Sequence, residues 1–342
     1  MGVEWLYSVV RTHGLSVHLI PEETIRSWAL ITDDRDLFER IRETDYGAFL
    51  EGPGDLRSAV KVEDAVYRVL DRRIWGLLSL VGEDLKEFFE TYLAKYDLEN
   101  LRRVMYYIAG PGEVKPRLIP VGGRLLDRDR AVKARTLREL ARAVRHDRLS
   151  RLLEEAPEDS DLAELDINLE LEYLRMVDEA AERSRRVRRE REAVEIVDGY
   201  VKRSLLGLAL KAVRLGRLTK RISDEVRERI GGVAARAILR ARGLEEALEN
   251  LASSKEYRVI ALASLSTYRE VGEPWVLEIC LGRDIVRGCS ILVKRAGVIS
   301  TSFLIYYMLR VEWEALLLKT LLLGRIGGVP PEKLYEAIGE RI

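Results

Sequence analysis

Apolar residues recur along this chain at three- and four-residue steps. Leu98, Leu101, Met105 and Ile108 form one such series, and Leu309, Trp313, Leu316, Leu317 and Leu321 form another. This spacing puts the apolar side chains on one face of a helix and predicts an element with one buried side. Strand-like alternation is scarce, so the pattern predicts an all-α protein. Boundary signals accompany it. Asp97 with Asn100 has the form of a capping box for a helix opening there, and Ser223 precedes an acid-rich first turn. Pro330-Pro331-Glu332 opens a final helix just after Gly327-Gly328 has ended the one before. Breaks at Gly52-Pro53-Gly54, Gly110 to Pro116, Pro120 to Gly123, Gly216, Gly231-Gly232 and Gly272 to Pro274 sort the helices into three groups.

The groups share an order. A helix near Leu37 to Tyr46 precedes one containing Val62-Glu63 and then a long helix from Asp97. Likewise Leu248 to Tyr257 precedes Leu277-Glu278 and a long helix through Glu314. Part of the terminal phrase, Glu314, Leu318-Lys319, Gly324-Arg325 and Gly328 to Glu332, is matched by Tyr96-Asp97 through Asn100-Leu101-Arg102 and on to Gly110. Recurrence in register predicts a duplicated helical unit of about 105 residues. A middle copy is expected between them: Leu137 to Leu153, Leu169 to Leu174, then the helix from Lys202 to Gly216. It is degraded, with Lys202 in place of the opening acid and Leu205 in place of the asparagine. The expected lobes are residues 1–112, 113–217 and 218–342.

Composition narrows the function classes. With 342 residues, 47% of them hydrophobic, the chain can bury more than one core. Lys+Arg 57 balance Asp+Glu 57, which argues against a general nucleic-acid binder. Glutamine is absent and asparagine rare, while Arg, Glu and Leu abound, the balance expected of a heat-adapted protein. Cys280 and Cys289 have the spacing of neither a zinc site nor a redox pair and read as small buried hydrophobes in a reducing compartment. Met1 to Trp5 has no export signal. Phe303 to Leu323 carries Arg310, Glu312, Glu314 and Lys319, each costing roughly 2.5 to 3.5 kcal/mol near a bilayer centre, and so reads as an amphipathic, non-spanning helix.

Candidate chemistry is sparse. Asp97 and Asn100 could form a catalytic or ligand pair, but a helix cap explains them better. His13, His18 and His146 lack metal-ligand spacing, so no metal is expected. Gly110-Pro111-Gly112 and Gly122-Gly123 follow no strand and lack the Lys-Ser/Thr of a phosphate loop, so no nucleotide or other cofactor is expected. The strongest charge feature is Glu182 to Glu192, with Arg183, Arg185, Arg186, Arg188, Arg189 and Arg191. It reads as a solvated helix face paired with Glu179, Glu182, Glu190 and Glu192, or else as a docking stripe in which Arg185, Arg186 and Arg189 meet an acidic partner. A helical nucleic-acid binder using Arg183 to Arg191 is the alternative, weakened by balanced charge and the lack of interleaved aromatics. A helical enzyme with buried carboxylates would want paired Glu-x-x-His motifs, which the chain lacks.

Taken in order, these phrases resemble the C subunits of archaeal A-type and some bacterial V-type ATP synthases, relatives of the d subunits of V-type ATPases. The matching residues are Leu6-Tyr7 with Arg11, Glu43-Thr44-Asp45-Tyr46, Tyr96-Asp97 with Asn100-Leu101-Arg102, Leu118-Ile119-Pro120 with Gly122-Gly123, and Glu314 through Pro331, including Lys319, Gly324 and Pro330. Two departures stand out: Val197 to Tyr200 does not reproduce the middle repeat without a gap, and Leu317 replaces the usual asparagine. The resemblance implies three similar helical lobes with pseudo-threefold symmetry forming a funnel. It also implies a non-catalytic rotor adapter between the central stalk and the membrane proteolipid ring, held peripherally at the cytoplasmic face.

Overall fold

The computed structural model describes residues 3–110, 116–122, 125–157 and 160–339. Its principal helices are, in chain order, α1 (Val3–Ser16), α2 (Glu22–Trp28), α3 (Asp34–Arg42), α4 (Ala59–Leu78), α5 (Glu83–Ala109), α6 (Leu162–Arg183), α7 (Arg191–Leu215), α8 (Val276–Ala296), α9 (Thr301–Ile326) and α10 (Pro331–Ile338), with shorter helical turns between them. Among the described residues no strand forms; the one β-type pairing is an isolated bridge between Leu126 and Val144. The all-α expectation holds. Among the described residues no helix is long and apolar enough to cross a membrane.

The chain divides into two compact units. The first takes residues through Gly82, Arg189–Ile196 and Val259 onward; the second takes Glu83–Arg188 and Val197–Arg258. In the first unit α9 is the axis. Phe303, Leu304, Ile305, Met308, Leu309 and Trp313 are all buried, and at 100° per residue they point in every direction around the helix. The one-sided pattern expected here is therefore exceeded, because α4, α8, α10, α1 and α2 pack around it. Its charged residues are accommodated individually. Arg310 lies over the Tyr306 ring and Lys319 reaches the Tyr67 hydroxyl at 3.4 Å. In the second unit α5 packs along α6, and the Tyr173 hydroxyl donates to the Tyr92 carbonyl at 2.7 Å.

Several boundaries follow the sequence signals. Gly216, Gly272 and Gly328 take positive φ (64, 82 and 77°) at helix ends, where a side chain would be strained. Pro330 is the N-cap of α10, as expected. Pro111 to Lys115, Gly123 and Arg124 lie outside the described residues. Two expected starts are wrong. The helix containing Asp97 begins at Glu83, so Asp97 and Asn100 sit deep inside α5 and cap nothing. Ser223 lies inside the helical turn Lys220–Glu225, whose cap is Thr219. In both cases a polar residue spaced like a cap is performing a different task on a helix already under way.

Close approach of α10 to α9 depends on Gly324, where an added Cβ would lie 2.5 Å from Leu334 Cδ2. Leu334 and Ile338 are fully buried. Each contributes about 1.5 to 3 kcal/mol by leaving water. Truncation after Gly328 should therefore lower the melting temperature by at least about 5 °C, and an unchanged thermal melt would contradict this packing role.

Candidate functional site

The phrase Glu43-Thr44-Asp45-Tyr46 forms the end of α3 and a 3-10 turn, Asp45–Phe49, whose N-cap Thr44 accepts a hydrogen bond from Tyr46 N at 3.2 Å. The turn lies so close to α3 that a Cβ on Gly47 would sit 2.5 Å from the Arg42 Cα and carbonyl oxygen. Gly47→Ala should cost about 1 to 3 kcal/mol, because backbone cannot move aside as a side-chain tip can. Gly52→Ala, where the added methyl meets nothing within 4 Å, is the near-neutral control. Equal melting temperatures for the two variants would refute the clash.

That turn delivers Tyr46 to a buried acid. Its hydroxyl donates to Glu314 Oε1 at 2.7 Å. Arg73 of α4 donates to the same oxygen, to Asp45 Oδ2 through Nε at 3.1 Å and Nη2 at 3.0 Å, and to the His18 carbonyl at 3.0 Å. Ile20 N completes the set on Glu314 Oε2. Burial drives the Tyr46 hydroxyl well above its ordinary value, and the Glu314 charge adds to the shift. Burial also pushes the Glu314 carboxyl up, against the pull of Arg73. For Arg73 burial acts downward, but Glu314, Tyr46 and Asp45 together outweigh it and the guanidinium is held more firmly protonated.

This arrangement ties parts together. The Glu314 carboxylate accepts three donors from three different segments, and Arg73 spends its N–H groups on the protein itself. A shallow cavity of about 570 Å³ lies alongside, lined by His18, Pro21, Thr24, Trp28, Glu43 and Asp45 among others, but not by Tyr46, Arg73 or Glu314. Tyr46, Arg73 and Glu314 are buried and directed at one another and at backbone groups rather than into the cavity.

The second unit repeats the idea with different chemistry. Asn100 bridges Ile119, accepting from its N–H at 2.6 Å and donating to its carbonyl at 3.1 Å. Asp97 Oδ2 accepts from Leu125 N at 2.9 Å and Leu126 N at 3.3 Å. Gly122 passes so near that a Cβ would lie 2.4 Å from Asp97 Oδ1. Burial raises the Asp97 carboxyl to about 6, opposed by these amides and by Arg128. Arg102 pairs with Asp166 and, at 2.6 Å, with Glu170; Lys211 reaches the same two acids at 2.8 and 3.4 Å. Burial opposes both cations, yet the acids outweigh it and raise their proton affinity.

One signal for these sites lay unread in the sequence. Leu19-Ile20-Pro21 recurs as Leu118-Ile119-Pro120. In each unit the isoleucine amide is held by a polar side chain of the recurring phrase, Glu314 in one and Asn100 in the other. Arg73, Asp166 and Glu170 had no such signal.

The arginine run departs from expectation. α6 ends at Arg183, Ser184 turns extended, and Arg185–Arg188 is a separate short turn, so no continuous helix face exists. Asp84 holds that turn by accepting from the N–H groups of Arg185 and Arg186, each at 2.9 Å. Arg185 and Arg189 are exposed and Arg186 is half-buried. Glu190 does not pair within the run but accepts from the first amides of α9. Arg183 does meet Glu179, at 3.9 Å. The histidines are scattered: His13 stacks on Phe303 with centroids 3.6 Å apart, His18 lends its carbonyl to Arg73, and burial lowers His146. Among the described residues no group of three or more His, Cys, Asp or Glu could hold a metal ion. Cys280 and Cys289 are free and buried.

No curated protein matches the chain significantly. The family model for the ATP synthase (C/AC39) subunit, however, matches residues 8–337, a span that reaches into both units and includes every tie described above. The chain therefore belongs to the ATP synthase (C/AC39) subunit family, the structural and non-catalytic subunits of the rotary ATPase.

Proposed function

We propose that this chain is the rotor adapter of an A/V-type ATP synthase, seated on the cytoplasmic side of the membrane proteolipid ring and receiving the central stalk. In this role it transmits torque between the stalk and the ring during ATP synthesis or ion transport, without chemistry of its own. The observation that carries the reading is the family match over residues 8–337. The reading includes three related lobes, 1–112, 113–217 and 218–342, arranged as a funnel. The recurrent Leu-Ile-Pro tie supports a repeated origin.

Stiffness supports it too, since packed interiors compress little and strain passes through them. In the second unit Arg221 meets Glu172 at 2.6 Å, Arg175 meets Glu225 at 2.6 Å, and Arg229 meets Asp178 at 2.7 Å, cross-linking helices with charge-assisted bonds. Arg185, Arg186 and Arg189 are proposed to meet acidic groups of the stalk or ring. The test is co-purification of the full chain with ring and stalk proteins separately, at low salt, together with an ATPase assay of the chain alone. The reading expects capture by both partners and no turnover; Arg185→Glu, Arg186→Glu and Arg189→Glu together should weaken capture. Binding to neither partner would overturn it.

A further inference from the structure

Between α8 and α9 the chain turns at Gly297, whose φ is 87°. The turn presents Val298 and Ile299 to solvent, 68% and 46% exposed. Two adjacent aliphatic side chains left in water at the tip of two long helices call for a partner, since each forgoes the free energy of burial. The tip is held firmly. His13 of α1 stacks on Phe303, and its Nε2–H donates to the Val298 carbonyl at 2.8 Å. On the α9 side Glu190 accepts from Thr301 N at 2.7 Å and Ser302 N at 2.8 Å. The backbone is thus clamped from two sides while the aliphatic side chains stay outside.

Two further exposed apolar residues flank His13 in sequence: Val10, three residues before it on α1, and Val17, in the turn just past the end of α1, 57% and 77% exposed. Exposed cations lie close in sequence to these segments. Lys294 and Arg295 are exposed in the last turn of α8, Arg11 is exposed beside Val10, and Arg189 is exposed immediately before the clamping Glu190. Nearby acids are largely engaged: Glu190 by the α9 amides and Glu195 by Arg191 at 2.7 Å. Glu192 is exposed on the same segment.

An aliphatic tip beside exposed cations complements the boundary of an anionic bilayer, where apolar side chains enter the acyl layer and Lys or Arg meet headgroup phosphates. A soluble acidic protein would answer the cations but leave Val298 and Ile299 wet. We infer that the Val298-Ile299 tip is a lipid-contact point of this chain, inserting into the interface of an anionic membrane while Lys294 and Arg295 bind lipid phosphates. The contact needs no ring or stalk, so it stands apart from the rotor reading. Its contribution is reversible, as only a few groups take part.

The experiment is co-sedimentation of the full chain with vesicles of equimolar phosphatidylglycerol and phosphatidylcholine, against phosphatidylcholine alone. Binding to the anionic vesicles should exceed binding to neutral ones by about tenfold or more and weaken at high salt. Val298→Ser with Ile299→Ser should reduce it about tenfold, the transfer value of two aliphatic side chains being large enough, while the thermal melt is unchanged. Lys294→Glu with Arg295→Glu should also reduce it. Absence of binding to anionic vesicles at low salt, or equal binding by the Ser variant, overturns the inference. If the Ser variant keeps vesicle binding and loses the proteolipid ring, the tip is a protein contact and the rotor reading stands. If the wild-type chain binds vesicles but neither ring nor stalk, the rotor reading fails and the lipid contact stands.

Discussion

Replacing Arg73 by Met should destabilise the first unit by about 3 to 5 kcal/mol, the largest effect expected of any single side chain in it. The methionine fills similar space, so the loss is electrostatic: Glu314, 2% exposed, keeps its carboxylate in the core with no counter-charge. The Tyr46 hydroxyl and Ile20 amide still donate to it. Asp45 and the His18 carbonyl lose their donor as well. With the guanidinium gone, the carboxyl, already raised by burial, rises further. The variant is then best tolerated in acid, where Glu314 is protonated in both folded and unfolded chains. It loses stability as pH climbs through the raised folded value. Adding Glu314→Gln should restore part of the loss and abolish that pH dependence. Urea unfolding of the four members of this cycle measures the coupling; additive effects would show that the pair does not interact.

Asp97→Asn should act in the opposite direction. The native carboxyl titrates near 6 in the folded chain, against 3.8 as the ordinary value. A shift of about two units corresponds to roughly 3 kcal/mol. Because the folded value is raised, the contribution is fully present below the ordinary value and is lost as pH rises through about 6. An amide mimics the neutral acid and accepts the Leu125 and Leu126 amides with its carbonyl. The variant should therefore match the wild type near the bottom of that window and exceed it by up to about 3 kcal/mol at neutral pH. Asp34 and Glu179 shift the other way. Arg57 beside Asp34 and Arg148 beside Glu179 hold those carboxyls below their usual range, and both lose stability in acid. Only the difference between wild type and variant isolates Asp97. A difference independent of pH would refute the assignment.

Helices, their glycine stops and the start of α10 were legible because they depend on local chemistry. The first fold-level error has the same source. Asp97 and Asn100 have the spacing of a cap, but three-residue spacing also places two side chains on one helix face. Nothing local distinguishes these readings; the distant Ile119 and Leu125 do. Glu314 was singled out as part of a recurring phrase, yet its task depends on Arg73, separated by 241 residues. No periodicity reaches that far. The burial of α9 on all sides was hidden because Glu314 and Lys319 interrupt its apolar run, whereas the fold gives each a partner, Arg73 for one and the Tyr67 hydroxyl for the other. The break at Ser184 was hidden because the agent is Asp84, whose carboxylate starts the next turn from far upstream.

The central claim is that this chain turns with the rotor, and single-molecule rotation tests it most directly. Val259, 75% exposed, can be replaced by Cys and labelled selectively, because Cys280 and Cys289 are buried. With the catalytic head fixed to a surface and ATP supplied, the account predicts that a bead on residue 259 revolves in step with the central stalk. A bead that stays still while the stalk turns would contradict it.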